Sequence, residues 1–230
     1  MVLEIEIEHN ACVCQSCQIL LMRNEDATTT TTTKIILTIG SGNVFHPNAQ
    51  LIIIPPSSKD QDSGGEIRIT IGTNNLFEEG SKSILDLSRL DGPKDDGDGD
   101  NDNAGPKIYT IIGSYNQISA GAQLKFESIG SANIFHPKCN LIIPVIKNGN
   151  MFQACCKLHV TGDKDKDHYL SNVVYQEKVC YLLGEVDPVQ KMRNHTNGVK
   201  RNISDVSLLL NVSRRVVEKY HKLMPVKSYS

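Results

Sequence analysis

Residues Ile112–Leu141 read IGSYNQISAGAQLKFESIGSANIFHPKCNL, and their large apolar residues return at every sixth position: Ile112, Ile118, Leu124, then Ile129, Phe135 and Leu141. A helix repeats every 3.6 residues and a strand every second one, so neither alone produces this spacing. A six-residue beat is the signature of short strands wound around a triangular prism, three hexads to a coil, with the aliphatic of each hexad pointing inward. The step from Leu124 to Ile129 is five residues, so one corner there is tightened or slipped.

The beat returns along the chain. Ile7, Val13 and Ile19 keep it, as do Ile39, Phe45 and Leu51. Ile71 and Phe77 follow, with Ser83 in the third place and Ile84 beside it. Weaker traces run through Met151–Val160 and Val173–Leu182. Four coils open with related words, IGSGN at Ile39, IGTNN at Ile71, IGSYN at Ile112 and IGSAN at Ile129. A glycine after the aliphatic suits a sharp corner or a close backbone approach. An asparagine three residues after it tolerates left-handed angles and bonds its own turn. Stacking would then set Asn43, Asn75, Asn116 and Asn133 in one ladder along a corner. The small residues Ala49, Ser81, Ala122 and Cys139 recur at the matching place of the next hexad, as a narrow prism requires. The expected fold is therefore all-β, a parallel β-helix of hexapeptide repeats, spanning residues 1–185. One coil cannot bury its own interior, so stability comes from neighbouring coils.

Three polar stretches interrupt the beat: Arg23–Lys34 with its threonine run, Pro55–Glu66, and the acidic Asp91–Lys107. None has the apolar residues to pack, so each is expected to be a disordered surface insert. The acidic run lacks the spaced carboxylates and closing glutamate of a calcium loop. After a linker at 186–201, residues 202–224 read as a helix. Asn202 would cap it, Asp205 lies in its first turn, Lys219 and Lys222 lie near its end, and Pro225 stops it. Val206, Leu209, Leu210, Val216, Val217, Tyr220, Leu223 and Met224 form a broad apolar stripe, expected to pack along one prism face. A partner docked on part of that stripe is the alternative.

At 230 residues the chain suffices for one domain with a sizeable core, and a net charge of -2 offers no general basic surface for nucleic acid. Met1–Asn10 alternates apolar and acidic residues, so no export signal is expected, and no apolar run is long enough to span a membrane. The sequons at Asn194, Asn202 and Asn211 then read as chance matches. Seven cysteines, Cys12, Cys14, Cys17, Cys139, Cys155, Cys156 and Cys180, an odd number without an export signal, read as reduced thiols. The Cys12, Cys14, Cys17 cluster has no second pair to complete a zinc site and reads as packing. His46 and His136 occupy matching places, each as Phe-His-Pro at a corner where the side chain should be solvated, several coils apart. His9, His159, His168, His195 and His221 lie in scattered contexts. No phosphate loop or nucleophile elbow is present. The expectation is that the chain is not an enzyme. No catalytic, cofactor or metal residue is assigned.

The words IGTNNLFEEG, IIGSYNQISAG, FHPNAQLI, FHPKCNLI and QACCKL, with the insert before IIGSYN and a terminal helix ending KYHKLM, resemble the pointed-end β-helix family of the dynactin complex, that of dynactin subunit 6. The likeness covers most of Cys12–Leu182 apart from the inserts. The chain departs from that family in its threonine tract, its longer acidic insert and the polar segment Thr161–Tyr169. The resemblance implies a left-handed prism and a structural subunit without enzymatic activity. Its implied partners are the related dynactin subunit 5, subunit 4 and an actin-related protein at the filament's pointed end. Dynein and membrane cargo follow indirectly, with a cytoplasmic, microtubule-associated location. The alternative is a hexapeptide-repeat enzyme, an acyltransferase or a γ-carbonic-anhydrase-like protein. Such enzymes are usually trimers with histidines between subunits.

Overall fold

A computed structural model describes residues 2–22, 34–56, 66–88, 107–159, 173–175, 192–194 and 198–225. Six coils follow one another. The first is β1 (Val2–Ile7), β2 (Cys12–Val13) and β3 (Gln18–Leu21); the second is β4 (Lys34–Ile39), β5 (Val44–Phe45) and β6 (Gln50–Ile54). The third is β7 (Glu66–Ile71), β8 (Leu76–Phe77) and β9 (Lys82–Asp86); the fourth is β10 (Lys107–Ile112), β11 (Gln117–Ile118) and β12 (Gln123–Phe126). The fifth is β13 (Ser128–Ile129), β14 (Ile134–Phe135) and β15 (Asn140–Ile142); the sixth is β16 (Val145–Ile146), β17 (Met151–Phe152) and β18 (Lys157–His159). First, second and third strands of successive coils pair in parallel, giving three prism faces: sheets of six, eight and six strands. The second sheet continues through β19 (Val173–Tyr175), parallel to β17, to β20 (Met192–Asn194), antiparallel to β19. The fold is a left-handed parallel β-helix of hexapeptide type with one C-terminal helix, α1 (Gly198–Tyr220).

The six-residue beat is the core. Ile112, Ile118, Leu124, Ile129, Phe135 and Leu141 are all buried, in register with Ile71, Phe77 and Ser83 of the coil on one side. Rings stack along the second sheet, Phe45 on Phe77 with centroids 4.0 Å apart and Phe135 on Phe152 at 5.1 Å. Ser83 stands between Leu51 and Leu124, its buried hydroxyl without a hydrogen-bond partner. The small-residue column is longer than expected: Cys17 and Cys156 extend the buried row of Ala49, Ser81, Ala122 and Cys139. The five-residue step is a corner at Glu127, where the amides of Glu127 and Ser128 both donate to the Pro144 carbonyl, at 2.7 and 3.0 Å. The three inserts leave from this same corner of earlier coils, linking β3 to β4, β6 to β7 and β9 to β10. The expected disorder of those inserts, the Thr161–Tyr169 segment and Cys180 fall outside the described residues.

The asparagine ladder forms, and it runs further. The Asn43 Oδ1 accepts the Asn75 amide at 2.8 Å, Asn75 accepts that of Asn116 at 2.8 Å, Asn116 that of Asn133 at 2.9 Å, and Asn133 that of Asn150 at 2.9 Å. All five side chains are fully buried. One expectation is corrected: the left-handed backbone belongs to the residue before each ladder asparagine, Gly42, Asn74, Tyr115, Ala132 and Gly149. The asparagines hold the corner from inside. The glycine after each aliphatic is needed for close approach: a Cβ on Gly72 would lie 2.7 Å from the Gly113 carbonyl carbon and oxygen.

The helix differs from its expected bounds, running Gly198–Tyr220 in place of 202–224. Asn202 is therefore not a cap. It lies buried inside α1, its Nδ2 donating to the carbonyls of Ala132 at 2.8 Å and Asn150 at 3.1 Å, so it ties the helix onto the end of the ladder. The stripe also divides. Val206, Leu210 and Val217 pack on Cys12, Val44, Leu76 and Ile134, the outward residues of the second sheet. Leu208, Leu209, Val212, Val216 and Tyr220 are exposed. Beyond α1 the chain returns to the first coil. Leu223 bridges to Cys14, the Met224 amide donates to the Val13 carbonyl at 2.7 Å, and the Gln15 amide donates to the Lys222 carbonyl at 2.8 Å. A 23-residue helix is about 34 Å long, against roughly 24 Å for six rungs spaced by ~4.8 Å, so α1 spans the whole stack.

Candidate functional site: a histidine–glutamate corner column

The residue after each second-sheet strand donates its amide to the coil above, which stacks those residues in one column: Cys14, His46, Glu78, Ser119 and His136. His46 and His136 thus lie three rungs apart on one edge, with Glu78 one rung from His46 and two from His136. At ~4.8 Å per rung the two histidines are about 14 Å apart, too far to share a metal whose bonds to nitrogen are ~2.0–2.1 Å. Among the described residues no group of three histidine, cysteine or acidic side chains could hold a metal ion.

Glu78 is held in place. Its Oε1 accepts the Gln117 Nε2 at 2.8 Å and its Oε2 accepts the Ala120 amide at 3.1 Å, while Gln117 also donates to the Ser119 hydroxyl at 3.0 Å. Solvated histidines were expected, and this is corrected: both are half-buried, stacked within the corner column, with Glu78, Glu79 and His221 acting on His46 and Glu78 on His136. Burial lowers the pKa of His46, with His221 adding to that and Glu78 and Glu79 opposing it; burial likewise lowers that of His136 against Glu78. Both imidazoles therefore favour the neutral form more than a free histidine does. The Nε2 of His46 is buried without a hydrogen-bond partner. The column thus sets one imidazole a single rung from a fixed carboxylate and a second imidazole two rungs away on its other side.

The cysteines do not converge. Cys17 faces the prism interior, while Cys12 faces α1 and its thiol donates to Glu218 Oε1 at 3.3 Å. Burial pushes the thiols of Cys12 and Cys156 up to about 11 and those of Cys17 and Cys139 up to about 12, keeping them protonated and unreactive. His168 and His195 lie outside the described residues. The sequence reading missed the outward row that α1 covers. Its signal was legible, since Val44-Phe45, Leu76-Phe77, Ile134-Phe135 and Met151-Phe152 each pair an inward ring with a second apolar residue that must face out.

No protein-family model matches the chain, and no curated protein sequence matches it. Solved structures do. One is a hexapeptide transferase family protein from Anaplasma phagocytophilum, at 11% identity and a TM-score of 0.39, covering 93% of this chain and 96% of that one. Another is LpxA, a UDP-N-acetylglucosamine acyltransferase from Bacteroides fragilis, at 15% identity and a TM-score of 0.36, covering 96% and 91%. The expectation that the chain is not an enzyme is corrected by this finding: proteins similar to it in structure are transferases. The absence of a recognised motif was no ground for it. Among the described residues no helix is long and apolar enough to cross a membrane.

Proposed function

We propose that the chain is a structural subunit of a dynactin-type pointed-end assembly, seated beside the related subunit 5, near subunit 4 and an actin-related protein, and helping dynein engage cargo. The resemblance of IGTNNLFEEG, IIGSYNQISAG, FHPNAQLI, FHPKCNLI and QACCKL to that family supports this reading. The observation that carries an assembly role is the outer face of α1, where Leu208, Val212, Val216 and Tyr220 follow one another at four-residue spacing, all exposed. Single exposed apolar residues are ordinary, but a contiguous row marks an interaction surface. The helix is already anchored by its other face, so this row is available to a partner. The test is purification of the tagged chain from its own cells, with and without Leu208→Asp/Val212→Asp. The parent is expected to bring down a second β-helix chain and an actin-related protein, and the variant to lose at least one of them while melting like the parent. A parent that carries neither would overturn the reading.

A second reading is acyl transfer of the hexapeptide type, favoured by the two half-buried histidines flanking Glu78 on one edge. It requires turnover of an acyl-thioester donor such as acetyl-CoA, lost in His46→Ala or His136→Ala. A purified chain, stably folded and idle with such donors, would remove it.

A further inference from the structure

Every inward strand position of the third coil but one repeats the second coil. Ile67, Ile69 and Ile71 stand in register with Ile35, Leu37 and Ile39, Phe77 with Phe45, and Leu85 with Ile53. The exception is Ser83, whose register partners are Leu51 on one side and Leu124 on the other. Serine carries two fewer heavy atoms than leucine, and none of the matched residues is larger than its partner in the second coil. In the small-residue column two positions earlier, Ser81 stands where both adjoining coils have alanine, Ala49 and Ala122. Ser81 and Ser83 are 1% and 0% exposed, and neither hydroxyl has a hydrogen-bond partner. Lys82 between them is only half-buried, and alternation along the strand sends it outward and both serines into the prism interior. The matching places of the other coils on this face hold apolar residues alone: Cys17, Leu51, Leu124, Cys139, Leu141 and Leu158 are examples.

A buried hydroxyl without a partner is costly, and folded proteins satisfy such groups with their own polar atoms or with an internal water. The backbone here is already engaged. The Ser81 carbonyl accepts the Gln50 amide at 2.8 Å, the Ser81 amide donates to the Glu78 carbonyl at 3.1 Å, and the Lys82 amide donates to the Ala122 carbonyl at 2.8 Å. Residues two apart on one strand lie about 6.6 Å apart. Rotation about χ1 turns both oxygens toward the space between them, within reach of one water bonded at about 2.8 Å to each. The two heavy atoms that Ser83 lacks beside leucine leave room for the single heavy atom of a water, and two polar partners suffice for a buried one. We infer that Ser81 and Ser83 form a water-binding site inside the prism, on the third face of the third coil. An apolar ligand is the wrong chemistry, because it would leave both hydroxyls unpaired. An ion is equally wrong, because no opposite charge lines the interior. The site gives the third coil a polar contact in a column that is otherwise apolar, and it is independent of the assembly reading above.

A crystal structure of the full chain, at a resolution that shows ordered water, tests the site directly. The expected result is one water within hydrogen-bond distance of both serine oxygens. Density with no water between them overturns the inference. Thermal melts of two variants supply a second measurement. Ser83→Ala takes one partner from the water and the bridge from Ser81, so its midpoint is expected to fall; an unbridged hydroxyl predicts the opposite, and a rise overturns the inference. Ser81→Ala/Ser83→Leu copies Ala49 and Leu51 of the second coil and replaces the water with a leucine side chain. Its midpoint is expected to rise by about 3 °C or more. A double variant that melts below the parent shows that the interior beside Ser83 has no room, and it overturns the inference as well.

Discussion

Removing the amide of Asn116 should split the prism at its middle. Its Oδ1 accepts the Asn133 backbone amide at 2.9 Å and the Asn133 Nδ2 at 3.1 Å, and its Nδ2 donates to Asn75 Oδ1 at 3.0 Å and the Gly130 carbonyl at 2.9 Å. Asn116→Ala withdraws the acceptor from a buried amide and the donor from the Gly130 carbonyl. Asn75 Oδ1 keeps the Asn116 amide at 2.8 Å. A buried polar group left without its partner costs about 1–3 kcal/mol, so the pair comes to roughly 2–6 kcal/mol. With ~2–4 °C per kcal/mol at this size, a middle value of ~4 kcal/mol lowers the midpoint by about 8–16 °C. Thermal melts followed by circular dichroism measure it, and the loss of coupling between coils should also broaden the transition. Asn148→Ala is the control. Its Oδ1 accepts the Ser131 amide at 2.6 Å from an exposed position, where water can replace it, so the loss stays below about 1 kcal/mol. If Asn116→Ala melts like Asn148→Ala, the ladder does not hold the stack.

Ile112→Asp places a carboxylate in the interior between Ile71 and Ile129. Lost burial and charge desolvation together exceed about 4 kcal/mol, seen as loss of a cooperative melt; a melt matching the parent would refute the inward assignment. Asn202→Ala releases the first turns of α1 from Ala132 and Asn150, and hydrogen exchange should quicken around residue 202 while the prism amides stay protected. The pKa of His46 is lowered in the fold, so between its unfolded value near 6.5 and its folded value the unfolded chain binds more protons. Stability is complete above about pH 6.5 and falls as pH drops through that window; His46→Gln should flatten part of the slope, and an unchanged pH profile would refute it. Thiol labelling at pH 8 should leave Cys12, Cys17, Cys139 and Cys156 slow until the protein unfolds, as their raised pKa values require.

The fold was legible because its rule is repetitive and local. Every aliphatic of the six-residue beat from Ile112 to Leu141 became a core residue, and the IGxxN words became a ladder. Asn150 was missed because its coil opens with Ile146-Lys-Asn-Gly, lacking the glycine after the aliphatic, although the asparagine keeps its place. The helix bounds slipped because Asn202 has the chemistry of a cap, yet a tertiary contact uses its amide inside the helix. The division of the stripe was hidden for a related reason. Periodicity marks both Leu209 and Leu210 as apolar, and only the position of the second sheet decides that Leu210 is covered and Leu209 is not. The corner column was the least legible feature. His46 and His136 read as matching places of two hexads, but Glu78 and Ser119 are of other residue types and join them only through the strand register.

The most direct measurement is the composition and mass of the complex that the unmodified chain forms in its own cells, taken under native conditions. The account predicts one copy of this chain beside a second β-helix chain, with an actin-related protein in fixed proportion. A symmetric trimer of this chain alone, turning over an acyl donor, would contradict it.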